Sequence, residues 1–254
     1  MVREKLLVLA KTCPVVSKSY EHLVCVAGIT GVGEWRRIYP VPWVLFSKHC
    51  ETKFKKKQWI EYELKSNEPS DHRPESRKIM PESVKPLEEA DFSVIKDMLD
   101  KKLTTLEHLH KQGHHIASLG AMKPIIEDFH ACDNIQEEKL IRMSTQMTLF
   151  GTKAMKIDVP EMNFNYIFRC GGQECKGHDM LCLDWELGEL HRKCEEYRSH
   201  GKYKDDGEVF EKVGYRMMND MLKKKCLYFI VGTHSTWGTY MIISVIYPRK
   251  DDAV

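Results

Sequence analysis

Two cysteines and a histidine in the second half of the chain have the spacing of metal ligands. Cys170, Cys175 and His178 lie in the segment RCGGQECKGHD, with glycines at positions 171, 172 and 177. Zinc prefers thiolates and imidazoles in tetrahedral sites, and glycines permit the tight turn that brings such ligands together. The pattern therefore predicts a zinc knuckle. The alternative is a set of ordinary reduced thiols beside a polar turn histidine.

The fourth ligand of this site does not follow from the spacing alone. The candidates are Cys182, His191 and Cys194. Cys182 falls in an expected strand, where its side chain could face the core, whereas His191 and Cys194 lie about one turn apart on the helix that follows. We assign the fourth position to this helix. The predicted zinc ligands are Cys170, Cys175, His178 and Cys194.

A second group of residues combines aromatic and basic side chains near the N-terminus. The segment GEWRRIYP has two arginines between a tryptophan and a tyrosine, and a basic run, KFKKKQW, follows. Proteins that bind single-stranded nucleic acid stack aromatic rings on bases while basic groups contact the phosphates. The predicted nucleic-acid contacts are Trp35, Arg36, Arg37, Tyr39, Lys55, Lys56 and Lys57. The alternative is that the aromatic rings belong to the core and that the charged side chains form a solvated rim.

The segment QMTLF suggests a protein partner. Its Gln146, Leu149 and Phe150 are similar to the short motif by which bacterial proteins dock on the replication sliding clamp. In that mode a glutamine forms hydrogen bonds and the apolar pair fills a pocket. The alternative is that Leu149 and Phe150 pack between structural units.

Carboxylates near the cysteines allow an enzymatic alternative. His178, Asp179, Asp184 and Glu186 could form an open metal site of a nuclease, in which carboxylates hold a divalent cation. However, Asp184 also stands where a helix is expected to begin, and aspartate is a common N-cap residue. No phosphate-binding glycine loop, serine elbow or HExxH segment occurs in the sequence.

The N-terminal part of the chain predicts β structure that would position the aromatic and basic residues. Apolar and β-branched runs or alternation predict strands over 5–12, 22–30, 35–42 and 58–64. Gly31 and Gly33 mark a hairpin loop, and Pro40 and Pro42 end the third strand. Such a meander predicts a small β-barrel of the OB or SH3-like kind over residues 1–66.

The remainder of the chain predicts two further parts. Residues 67–150 form a proline-rich connector and a helical segment, with a helix over 89–113 that ends at Gly113. Residues 151–254 predict strands around the cysteines, helices over 185–199 and 206–224, and apolar strands over 226–233 and 239–248. The predicted fold class is α+β, with an N-terminal barrel, a helical middle and a C-terminal α+β module that carries a zinc-knuckle-like loop.

Composition limits the classes of protein to which the chain can belong. Its 254 residues include 39 Lys and Arg against 37 Asp and Glu, so any attraction to nucleic acid must come from a local patch. Nine cysteines, an odd number, favour reduced thiols or metal ligands over a disulfide framework. No apolar run approaches the roughly 20 residues of a membrane span. We therefore expect a cytoplasmic protein.

Several segments together resemble a known family. VCVAGITGVGEWRRIYPVPW, DHRPESRK, QMTLF and CKGHDMLCLDWEL occur in this order. They resemble a prokaryotic family of proteins described as dual OB-domain proteins, and CKGHDMLCLDWEL is the most specific part of the resemblance. The resemblance covers most of the chain and implies a nucleic-acid-related role by analogy with OB folds. It supplies no enzymatic activity that could be transferred to this chain.

From these observations we expect a non-enzymatic protein that binds single-stranded DNA or RNA and contains a structural zinc knuckle. The alternatives are a metal-dependent enzyme that processes nucleic acid and a structural or assembly subunit. The coordination of the metal distinguishes the first two: a closed set of Cys and His ligands indicates a structural site, whereas an open site with carboxylates indicates catalysis.

Overall fold

The computed structural model describes residues 2–12, 23–46, 50, 52–133, 162–223, 226–234, 238–248 and 252. Within these residues the chain forms two six-stranded sheets and four α-helices. The predicted α+β class is therefore confirmed. The QMTLF segment, with Gln146, Leu149 and Phe150, lies outside the described residues, so the sliding-clamp contact stays a prediction. No helix in the described part of the chain is long and apolar enough to cross a membrane.

The first sheet contains the strands predicted near the N-terminus. Its members are β1 (Arg3–Lys11), β2 (Leu23–Thr30), β3 (Trp35–Pro42), β4 (Gln58–Glu63), β5 (Ser76–Arg77) and β6 (Lys85–Glu89). Their order is β5-β3-β2-β1-β4-β6, in which only the β3–β5 pair is parallel. The sheet has β5 and β6 at its edges and is not a closed barrel, so the small OB or SH3-like barrel predicted here stays a prediction. Because β5 and β6 join it, this sheet extends to Glu89 rather than ending near residue 66.

The central strand of this sheet is buried on both faces. Leu6 and Val8 on β1 pack into a core formed within the first sheet, together with residues of β2, β3 and β4. Leu7 and Leu9 point to the opposite face and pack against the second sheet. A strand buried on both faces has an unbroken apolar run instead of alternation, which the segment LLVLA of β1 shows.

Two short helices connect the sheets. They are α1 (Phe92–Asp100) and α2 (Leu106–Gln112), where one helix over 89–113 was predicted. The segment between them is extended because Leu103 forms a bridge with Ala121, and the backbone N–H of Thr104 donates to the Ala121 carbonyl. Helix α2 ends at Gly113 with a φ of 83°, so the predicted glycine C-cap is confirmed.

The second sheet carries the remaining helices on one face. Its strands are β7 (Leu119–Met122), β8 (Ile125–Asp133), β9 (Met162–Arg169), β10 (His178–Cys182), β11 (Tyr228–Thr233) and β12 (Tyr240–Ile246). Their order is β7-β11-β12-β10-β9-β8, and only the β10–β12 pair is parallel. Helices α3 (Trp185–Ser199) and α4 (Asp206–Tyr215) pack on this sheet, and a π-helical turn (Arg216–Asp220) follows α4.

The two sheets share a hydrophobic core. Leu7, Leu9 and Ile29 of the first sheet pack with Ile230 and Ile243 of the second, and α1 covers the side of this contact. All five side chains are almost completely buried. The two halves of the chain are therefore joined by interior packing, which removes apolar surface of both sheets from water.

Candidate functional site

Four side chains from two distant parts of the sequence meet beside α2 and the loop between β9 and β10. They are Glu107, Cys170, Cys175 and His178, and their potential ligand atoms all lie within 4.8 Å of one another. His178 Nε2 lies 3.0 Å from Glu107 Oε1 and 3.2 Å from Cys175 Sγ. The backbone N–H of Cys170 donates to Cys175 Sγ at 3.2 Å. We call these four residues the metal cluster.

The local fold explains how these side chains converge. Cys170 directly follows β9 and His178 begins β10, so the turn of this antiparallel pair brings them together. Gly171 and Gly177 in the turn have φ angles of 77° and 97°, which side chains with a Cβ rarely adopt. The predicted role of glycines in this turn is confirmed at both positions. Glu107 comes from the first turn of α2, which Thr105 caps by accepting from the backbone N–H of His108.

Burial controls the ionisation of the cluster. Burial, together with the neighbouring Glu107 and Cys175, raises the pKa of the Cys170 thiol to about 12, against the lowering effect of a hydrogen bond from the backbone of Leu106. Burial also disfavours the charged form of Glu107, but hydrogen bonds from its own backbone N–H and from Cys175, with the charge of His178, hold its pKa below the ordinary value. A bound cation would reverse the shift at Cys170, because metal-bound thiols are deprotonated.

The donor set fits a metal ion. Two thiols, an imidazole and a carboxylate give four ligands, the number of a tetrahedral site. In addition, Glu107 Oε2 is buried and accepts no hydrogen bond from the described residues. Buried polar atoms normally have a partner, so this oxygen is available as a ligand atom. The cluster could therefore hold a divalent transition-metal ion.

The structure corrects one of the four predicted ligands. Cys170, Cys175 and His178 come together, but the fourth member of the cluster is Glu107 and not Cys194. Cys194 lies on α3, buried in the core between α3 and the second sheet, where burial raises the pKa of its thiol. The sequence gives no direct sign of Glu107, since it belongs to another segment of the chain and glutamates are common at helix starts.

The two arginines predicted to bind nucleic acid are buried. Arg36 is 6% exposed, and its Nη2 lies 2.6 Å from Glu4 Oε1, while the Tyr62 hydroxyl donates to the same carboxylate at 2.7 Å. Arg37 is 2% exposed, and its Nη2 donates to the carbonyl oxygen of Ser118 at 3.2 Å. Arg36 thus stabilises the first sheet internally, and Arg37 connects the first sheet to the start of the second.

The three consecutive lysines have different environments. Lys55 is exposed, with its Nζ 3.1 Å from Glu89 Oε1. Lys56 and Lys57 are buried, and Lys57 donates to the carbonyl oxygen of Tyr247 beyond β12. Trp35 and Tyr39 are half-buried. Four of the seven predicted contacts, namely Arg36, Arg37, Lys56 and Lys57, are therefore inside the protein. This corrects the expected solvent-exposed binding face.

Lys56 belongs to a buried network at the boundary between the two halves. Its Nζ lies 2.7 Å from Asp184 Oδ2 and 3.1 Å from Glu186 Oε2. Asp184 Oδ2 also accepts from the Ser244 hydroxyl at 3.0 Å and from the Val245 backbone N–H at 2.6 Å. Asp184 Oδ1 accepts from the Glu186 backbone N–H at 2.7 Å, which makes Asp184 the N-cap of α3. Burial opposes the charge on Lys56, but Asp184 and Glu186 outweigh it and raise its pKa.

Two family models match the chain. One, described as Domain of unknown function (DUF8758), matches residues 2–102. The other, Domain of unknown function (DUF8757), matches residues 100–254, which is more than half of the chain. The chain belongs to the DUF8757 family. No curated protein matches it. The DUF8757 region contains all four residues of the metal cluster, whereas the DUF8758 region contains the first sheet and its buried arginines and lysines.

Within the DUF8757 region, the residues of the enzymatic alternative lie in separate places. His178 belongs to the metal cluster. Asp179 points the other way along β10, and its Oδ1 accepts from Asn165 Nδ2 at 2.7 Å. Asp184 and Glu186 lie at the start of α3, where both bind Lys56. The structure therefore does not bring these four residues into one open carboxylate site.

Proposed function

We propose that the protein binds single-stranded nucleic acid without catalysing a reaction on it, and that a structural zinc ion holds its C-terminal half in shape. The nucleic-acid part is carried by the strand order of the first sheet, and the zinc part by the metal cluster. We also place the protein in the cytoplasm, because a reducing compartment keeps Cys170 and Cys175 available as ligands.

Zinc is the ion that the metal cluster suits best. Two thiolates and an imidazole favour zinc over magnesium or calcium, which prefer oxygen ligands. Cys170, Cys175, His178 and Glu107 would complete a four-coordinate site, and the ion would tie the start of α2 to the turn between β9 and β10. An ion with four protein ligands stabilises a fold and leaves no open position for a substrate.

The first sheet supports an OB-like relationship. Strands β1, β2 and β3 form a meander, β4 pairs with the free side of β1, and β5 pairs in parallel with β3. An isolated bridge between Leu64 and Ile79 then links the end of β4 to the segment after β5. Five strands that enclose one core in a partly open sheet support this proposal, because OB folds are five-stranded, partly open barrels that bind single strands with adjoining loops.

Exposed lysines flank the loop that follows β4. Lys65 and Lys78 are both exposed, and their backbones are joined by a hydrogen bond of 2.9 Å. The loop between β4 and β5 is one of those with which OB folds contact oligonucleotides. We therefore move the proposed phosphate contacts from the buried residues to Lys65 and Lys78. The exposed Lys55 precedes β4, at the opposite end of this strand, and is not part of the pair.

Fluorescence anisotropy with labelled single-stranded DNA and RNA tests the nucleic-acid proposal. We expect salt-dependent binding, and the double variant Lys65→Gln/Lys78→Gln should reduce the slope of log K against log salt by about 1.4, since each lost phosphate contact removes about 0.7 for a single strand. The matched control replaces two exposed helical lysines, Lys111→Gln/Lys212→Gln. Wild-type protein that has no affinity at low salt, or equal effects of both double variants, would contradict the proposal.

Elemental analysis of the purified protein tests the zinc proposal separately. We expect about one zinc per chain, and removal of the metal with a chelator should lower the melting temperature, because binding energy at such a site is folding energy. Protein that is fully folded, free of metal and unaffected by added zinc would exclude a structural metal.

A further inference from the structure

A cleft of about 540 Å³ lies at the boundary between the two halves of the chain, and no residue of the metal cluster lines it. One wall comes from the lysines before β4, and the other from the first turns of α3 and the π-helical turn after α4. Its volume falls within the range of small-molecule sites in proteins, and such sites are common where two structural units meet.

The carboxylates in the cleft are already matched by cations of the protein. Asp184 accepts four hydrogen bonds, one of them from Lys56, which also binds Glu186. Glu189 binds Arg192, with its Oε2 3.0 Å from Arg192 Nη2. The acidic residues of the lining therefore exert less repulsion on an anion than their number suggests.

Other cations of the lining are placed to meet a ligand. Lys193 is exposed on α3, and its ammonium group forms no ion pair with any residue that the structure describes. Arg216 binds Asp220 through Nη1 but remains 43% exposed at the rim of the cleft. A guanidinium has five N–H donors in a planar arrangement that matches phosphate oxygens. The rim thus offers two charged donors for an anionic group.

The interior of the cleft is apolar and partly aromatic. Leu187, Met217 and Val245 are buried beneath it, and the half-buried Trp185 and Tyr247 contribute rings to its walls. Methionine and aromatic side chains accommodate flat, polarizable rings. A ligand that fills this space needs a planar apolar body and a negatively charged end.

We propose that this cleft binds a nucleoside monophosphate, with its phosphate near Lys193 and Arg216 and its base against Tyr247 and the apolar floor. The site lies outside the surface assigned above to single-stranded nucleic acid. Binding of a mononucleotide here depends neither on Lys65 and Lys78 nor on the zinc ion.

Isothermal titration of the full-length protein with adenosine 5′-monophosphate tests this site. We expect saturable binding of one nucleotide per chain, weakened about tenfold or more by Lys193→Gln and by Arg216→Gln, because hydrogen bonds between charged partners are the stronger kind. The control Lys212→Gln removes an exposed lysine on α4 outside the lining and should leave the affinity unchanged. Melting curves of each variant establish that it is folded.

The two parts of the ligand can be tested separately. Adenosine and inorganic phosphate should each bind at least tenfold more weakly than the nucleotide, since each offers only one of the two required features. The proposal is overturned if millimolar nucleotide does not bind the folded protein, if adenosine binds as tightly as its phosphate ester, or if the lysine and arginine variants bind as well as the control. A lack of single-strand binding, by contrast, would contradict only the preceding proposal.

Discussion

Adjacent lysines with opposite environments provide the sharpest test of the structure. The side chain of Lys56 is 3% exposed and bound to Asp184, whereas that of Lys55 is 67% exposed and bound to Glu89. We expect Lys56→Met to lower the free energy of unfolding strongly, because it leaves the carboxylate of Asp184 buried without its cation. Removal of one partner of a buried ion pair costs about 3–5 kcal/mol.

The hydrogen bonds that Asp184 keeps determine how much free energy of unfolding is lost within this range. After loss of Lys56 the carboxylate still accepts from the Glu186 backbone, the Ser244 hydroxyl and the Val245 backbone. Three donors relieve part of the desolvation, so we expect a value near the lower limit, about 3 kcal/mol. Lys55→Met, the matched control, breaks an exposed pair and should cost at most about 1 kcal/mol.

Urea unfolding followed by tryptophan fluorescence measures both variants, and Trp185 next to the network provides a local probe. The double variant Lys56→Met/Asp184→Asn should lose at least about 1 kcal/mol less than the sum of its single variants, because the second change removes the charge that the first left unpaired. Equal midpoints for Lys56→Met and Lys55→Met, or strictly additive effects in the double variant, would refute the buried pair.

Three other predictions follow from the described contacts. Cys194→Ala should retain about one metal ion per chain, whereas Cys175→Ala should lose it; elemental analysis decides, and metal loss in the first variant would return Cys194 to the site. Burial lowers the pKa of Lys11 from 10.5 to about 8, so the unfolded chain binds more protons between these pH values and stability should rise with pH there. Lys11→Met should lack this rise. In urea unfolding, the difference in free energy of unfolding between wild type and variant should therefore grow by about 3 kcal/mol across this pH range. Parallel pH profiles of the two proteins would contradict the prediction. Residues 1–102 expressed alone should not unfold cooperatively in thermal circular dichroism, because the face with Leu7 and Leu9 loses its cover, and a sharp transition would show an independent unit.

Local patterns in the sequence predict the strands and one long helix well. The expected strands over 5–12, 22–30 and 35–42 agree with β1, β2 and β3 within two residues at each end, and the expected helix over 185–199 coincides with α3. These elements are specified by nearby residues: apolar runs, a capping aspartate and a hairpin with glycines. The spacing of Cys170, Cys175 and His178 is also local, and these three residues do come together.

The positions that the sequence did not predict depend on contacts between distant segments. Glu107 reaches the cysteines only because the Leu103–Ala121 bridge places α2 against β7, and no local pattern records that bridge. Likewise, a run of lysines is normally solvated, and Lys56 becomes buried only because α3 brings Asp184 to it. Residue type therefore indicated the chemistry of these side chains, while their partners were determined by the tertiary fold.

The interface between the two halves of the chain combines apolar packing with hydrogen bonds and ion pairs, whose geometry is directional. Packing between Leu7, Ile29 and Ile243 supplies stability but tolerates small shifts of one sheet over the other. Arg37 and Lys56 reach across this interface to Ser118 and to Asp184, and each satisfies its partner in only one relative placement. A misplaced sheet would separate the buried Lys56 and Asp184, at a cost of several kcal/mol, and would remove the hydrogen bonds that Arg37 donates to Ser118. Both residues therefore act against alternative arrangements. The same basic residues that suggest a nucleic-acid surface in the sequence are thus employed in holding the DUF8758 and DUF8757 regions in register.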